Sequence, residues 1–147
     1  MRSGTKADLL SVLESHSRRL ETTPTVTVNI LDGAMLVQML QPRGSKTFQD
    51  YADNVFLSHL SERLIHVKRL DLIWDRYIAD SLKSATRERR EHGSRRRVTS
   101  SNRVPNNWRS FLRVDENKTE LFQFLAQQSL SLSEDGKEIY CTSCEQV

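Results

Sequence analysis

The stretch RLDLIWDRYIADSLKSATRERR, residues 69–90, decides the fold. Leu70, Leu72 and Trp74 alternate with other residues, and Ile73 sits among them. This is a short apolar strand ending on Asp75. Asp80 or Ser81 can then cap a helix over Leu82 to Glu91 that Gly93 stops. Arg87, Arg89 and Arg90 fall in its last turns, which suits the negative end of a helix. An earlier stretch, VTVNILDGAMLVQML at residues 26–40, opens the same way. Val26, Val28 and Ile30 make a β-branched run that ends on Asp32, and Ala34 to Leu40 reads as helix.

Between these strands lies a second helix. Thr47 with Asp50 forms a capping-box pair with Asp in the place of Glu. Phe48, Tyr51, Ala52, Val55, Leu60 and Leu64 follow near helical spacing, so the helix runs from Thr47 to Ile65. Strand, helix, strand over this distance is a βαβ unit, whose strands run parallel. Parallel strands finish at one edge of the sheet. Asp32 and Asp75 are therefore expected at the same edge, where open α/β sheets take their ligands.

The flanks are simpler. Thr5 to Leu20 carries Leu9, Leu10, Val12 and Leu13 in a short amphipathic pattern, broken at Pro24. Residues 94–107 are polar and basic without periodicity, which predicts a long basic, flexible loop over about 92–107. Trp108, Phe111 and Leu112 are expected to anchor the chain again. Asn117 with Glu120 resembles a second helix start, leading to about Leu130, and Lys137 to Thr142 reads as a third strand. The expected fold class is α/β, a small parallel sheet flanked by helices.

At 147 residues the chain has the length of one domain. Its formal net charge of +3 hides a local bias. From Lys83 to Arg103 there are eight basic residues, Lys83, Arg87, Arg89, Arg90, Arg95, Arg96, Arg97 and Arg103, against Glu88 and Glu91. Such a block suits the phosphate backbone of DNA or RNA; it also suits a solvated loop. No secretory leader pattern and no membrane-length apolar run is present, so the expected location is intracellular, nuclear or cytoplasmic, with no membrane partner. Cys141 and Cys144 form a lone C-x-x-C pair, short of the four ligands structural zinc needs.

A carboxylate after a strand can cap the next helix or hold a hard cation. Two at one edge suit Mg²⁺ or Mn²⁺ beside phosphates. Here the chain resembles the N-terminal part of a PIN-like nuclease domain of the flap-endonuclease kind. Ile30-Leu31-Asp32 matches that family's first strand end, and Ile73-Trp74-Asp75 its second. Leu82-Lys83, Thr86-Arg87 and Arg89-Arg90 match its basic helix. The resemblance covers about residues 26–90. It implies a metal role for Asp32 and Asp75, and DNA-facing roles for Lys83, Arg87 and Arg90. Arg76 departs from the family's glycine, the prolines of its turn are missing, and its later acidic cluster has no counterpart. The resemblance thus implies a single partial PIN-like domain over residues 1–147, a nucleic-acid-binding nuclease-like unit weakly active or inactive alone. Arg89, Arg95, Arg96 and Arg97 join the candidate nucleic-acid contacts. The alternative is a non-catalytic interaction or scaffold domain, with a protein partner completing the sheet.

Overall fold

A computed structural model describes residues 4–18, 21, 22, 24–75, 93–132 and 136–142. The expected Leu82–Glu91 helix lies outside them. The described residues build an α/β fold on a three-stranded sheet in the order β1-β2-β3. Strand β1 is Val28–Asp32, β2 is Arg69–Ile73 and β3 is Glu138–Cys141, and both neighbouring pairs are parallel. In register, Asp32 lies opposite Ile73 and Leu72 opposite Cys141.

Helix α1, Lys6–His16, starts at a capping box between Thr5 and Asp8 and buries none of its residues. Helix α2, Gly33–Met39, follows β1 directly. The long helix between β1 and β2 is three segments in continuous helical backbone. They are α3 (Phe48–Tyr51), a π-helical stretch (Ala52–Leu57) and α4 (Ser58–Ile65). The Thr47–Asp50 capping box forms as its spacing predicts. The π stretch has a packing reason. Phe48, Ala52, Phe56, Leu60 and Leu64 are all buried and recur every fourth residue. An α-helix overshoots by about 40° at each such step, or about 160° over four steps. The wider π turns take back part of that rotation and keep the five side chains on the core.

The return to β3 runs through α5, Trp108–Phe111, and α6, Asp115–Ser129. Helix α6 starts two residues before Asn117, so the expected Asn117–Glu120 cap is not the helix start. Asn117 is fully buried inside the helix.

The helices cover one face of the sheet. Leu70 and Leu72 of β2 are fully buried there in one cluster with Leu36, Phe56, Phe122 and Leu125, with Leu31, Ile139 and Cys141 partly buried against it. Trp74 stacks between Phe56 and Phe122, at 5.8 and 4.7 Å between ring centroids. The other face stays exposed and carries Val28, Ile30, Ile73 and Tyr140. Arg69 lies over the Tyr140 ring there, 4.3 Å from its centroid, and clamps Asp71 through two hydrogen bonds of 2.7 and 2.9 Å. Those bonds hold the Asp71 carboxyl below its ordinary value. Among the described residues no helix is long and apolar enough to cross a membrane.

Candidate nucleic-acid interface and carboxylate pair

Parallel pairing brings the ends of β1 and β2 to one edge, and a close contact locks them. The backbone of Gly33, next after Asp32, lies under the indole of Trp74, next before Asp75. A Cβ on Gly33 would sit 2.4 Å from Trp74 Cε3. Trp74 is fixed further by its backbone N–H donating to Thr142 Oγ1 (2.8 Å) and its indole N–H donating to Cys141 Sγ (3.2 Å). Both aspartates are exposed at this edge. Asp32 caps α2, its Oδ1 accepting the Met35 N–H at 3.0 Å. That is the capping role open to any aspartate after a strand. Its Oδ2 and the Asp75 carboxylate are hard oxygen donors of the kind Mg²⁺ or Mn²⁺ takes. Among the described residues no group of three or more His, Cys, Asp or Glu side chains could hold a metal ion.

The basic loop, residues 93–107, contains no helix or strand, as its composition predicts, yet it is tied down. Asn117 does most of this. Its Oδ1 accepts from the Arg96 backbone N–H (2.9 Å) and from Arg95 Nη1 (3.1 Å). Its Nδ2 donates to the Ser94 and Phe111 carbonyls, each at 3.0 Å. Two lone pairs and two hydrogens are all used, which is what permits a buried amide. One turn on, Glu120 ion-pairs with Arg95, stands 3.5 Å from Arg97 Nη1, and accepts the Val98 N–H at 2.9 Å. Burial pushes the Glu120 carboxyl up, but the bonds from Arg95 and Val98 and the two arginine charges outweigh it. The net result lies below the ordinary value.

The three consecutive arginines therefore differ. Arg95 and Arg97 face Glu120. Arg96, in no ion pair among the described residues, lines a cleft of about 410 Å³ together with Arg103, Asn106 and Asn107. None of the residues lining that cleft is acidic. Lys83, Arg87, Arg89 and Arg90 lie outside the described residues, as does Cys144.

No family model, no curated protein and no solved structure matches this chain.

The functional reading accordingly rests on the residues. Trp108 is a packing residue: it stacks on Phe111 (5.1 Å between centroids), and its indole N–H donates to the Val37 carbonyl at 2.9 Å. Asn117 and Glu120 sort the arginines, whereas their pattern in the sequence predicts only a helix start. Their spacing of three on a helix did hold a clue, since it puts two polar groups on one face.

Proposed function

We propose that this chain is a nucleic-acid-binding, nuclease-like domain that grips the phosphate backbone of DNA or RNA through its basic loop. The observation that carries the reading is the pair Arg96 and Arg103 beside a cleft without acids, on a loop pinned from beneath by Asn117 and Glu120. Guanidinium groups held on an ordered backbone meet phosphate oxygens at a small entropic cost. Lys83, Arg87, Arg89 and Arg90 extend the basic run in the sequence. Asp32 and Asp75 offer a partial site for Mg²⁺ or Mn²⁺. Two carboxylates hold such a cation loosely, so the reading is binding, with cleavage weak or absent in this chain alone.

The test is anisotropy of labelled single-stranded and duplex DNA and RNA across a salt series. Phosphate binding predicts a steep fall in affinity with salt, and a slope shallower by about one unit in Arg96→Gln or Arg103→Gln. Arg97→Gln should change it less, because Glu120 already opposes that charge. Binding indifferent to salt would sink the reading. A Mn²⁺ titration followed by Trp fluorescence, with Asp32→Asn and Asp75→Asn as controls, tests the cation site through the indole beside it.

A second reading has its own observation. Parallel sheets are ordinarily covered on both faces, and here Ile30 is 67% and Tyr140 52% exposed. A protein layer over that face would make this an interaction domain. Sedimentation across a concentration series asks whether a second copy supplies it; a monomer throughout, unchanged by Ile30→Asp, would count against self-association.

A further inference from the structure

The turn after α2 forms one wall of another cleft. Tyr51 Oη donates to the Leu40 carbonyl (2.9 Å), and Trp108 holds the Val37 carbonyl, so the end of α2 is fixed. Gly44, at φ 79°, turns the chain where a side chain would be strained. The facing wall comes from the basic loop. Thr47 and Arg103 form an isolated antiparallel bridge, with the Phe48 N–H on the Asn102 carbonyl (3.0 Å) and the Val104 N–H on the Lys46 carbonyl (3.1 Å). Lys46 and Arg103 are thus neighbours by backbone pairing, although 57 positions separate them in sequence.

The cleft between the walls measures about 480 Å³, within the usual range for small-ligand sites. Arg43, Lys46 and Arg103 line it, with Ser45 and Asn106 as neutral hydrogen-bonding groups and Trp108 as an apolar wall. No lining residue is acidic, and the three cations form no ion pair among the described residues. Asp50, one turn into α3 and outside the lining, accepts the backbone N–H groups of Lys46 (3.0 Å) and Thr47 (2.9 Å) and feels the Lys46 charge without pairing with it. Three like charges around a concave space make it locally positive, which favours an entering anion. Arg103, Val104, Pro105 and Asn106 also line the Arg96 cleft, so the two spaces adjoin.

We propose that the Arg43–Lys46–Arg103 cleft is a seat for a highly charged phosphate group, a phosphate monoester or a pyrophosphate. Two guanidinium forks and one ammonium group match such an ion better than the single charge of a backbone diester. The inference deepens the reading above by adding a phosphate site, and it can be tested without any polymer. The source of the phosphate is either the 5′ end of a nucleic-acid strand or a free nucleotide.

The experiment is calorimetric titration of the full chain with inorganic pyrophosphate at low salt. The proteins are the parent, Lys46→Gln, Arg103→Gln, the charge-keeping Lys46→Arg, and Arg18→Gln as a control for net charge. Saturable binding is expected in the parent and Arg18→Gln, with Lys46→Arg close to them. Lys46→Gln and Arg103→Gln should each lose about tenfold or more, the equivalent of one charge-assisted hydrogen bond. Circular dichroism of each variant confirms that the fold is kept. No saturable binding, or equal weakening by Arg18→Gln, overturns the seat. Comparing a 5′-phosphorylated oligonucleotide, its 5′-hydroxyl counterpart and a nucleoside diphosphate then separates the two sources. A preference for the 5′-phosphate that disappears in Lys46→Gln supports the strand end. A diphosphate that binds as tightly as the oligonucleotide supports the nucleotide. Pyrophosphate bound in the cleft by a chain that shows no salt-sensitive affinity for any strand would leave the seat standing and remove the polymer reading.

Discussion

Gly33 has no Cβ, and the Trp74 indole occupies the space one would need. The contact joins the residue after one aspartate to the residue before the other, so it couples core packing to the carboxylate edge. Gly33→Ala should destabilise the fold by about 1–3 kcal/mol, the usual range for overpacking a filled core. Denaturant unfolding followed by Trp fluorescence would measure it, and a neutral effect would mean that the ring moves aside freely. Asp32 shows how one residue admits two readings. Its capping bond to Met35 takes one oxygen and leaves the other for solvent or a cation. The strand-then-Asp pattern was legible in the sequence twice over. The indole seated on Gly33 was not, because no local rule says which side chain will cover a glycine.

Among the elements, the basic loop is the one whose behaviour charge counting describes least well. A run of three arginines reads as three equal phosphate contacts. In the fold, Glu120 takes two of them and Asn117 ties the backbone between, leaving Arg96 over a cleft. Glu120 also makes the loop sensitive to acid. Its folded carboxyl lies below the ordinary value of 4.5. Its contribution to stability is therefore complete above that value and is lost as pH falls through the lower folded one. Glu120→Gln should cost about 1–2 kcal/mol at neutral pH, and should flatten the loss of stability in the acid range. Thermal unfolding across that range would check this; parallel curves for parent and variant would refute it. The long helix teaches a related lesson. Its cap and its apolar residues were readable, but the fourfold recurrence that calls for a π stretch matters only when a core fixes which side chains must face inward.

At the scale of the molecule, the sheet with helices on one face among the described residues is the main organising fact. Helix α1 stands apart from that core, with Leu9, Leu10, Val12 and Leu13 exposed. Removing residues 1–16 should shift the melting temperature by no more than about 2 °C, as for other changes that touch no buried group. A larger drop would show that α1 packs on the domain in solution. Local pattern alone was enough for much of the architecture. Alternation gave the strands, caps and apolar spacing gave the helices between them, and the rule that crossovers join parallel strands brought Asp32 and Asp75 to one edge. These are short-range properties, or follow from chain geometry. Contacts between distant parts of the chain decided the rest. Glu120 pairs with Arg95 and stands beside Arg97 from a helix 25 and 23 positions further along the chain, and the Thr47–Arg103 bridge gathers Arg43, Lys46 and Arg103 around one cleft. Ion pairs and concavities depend on which segments meet, and that is set by the packing of the core rather than by the order of residues along any one segment.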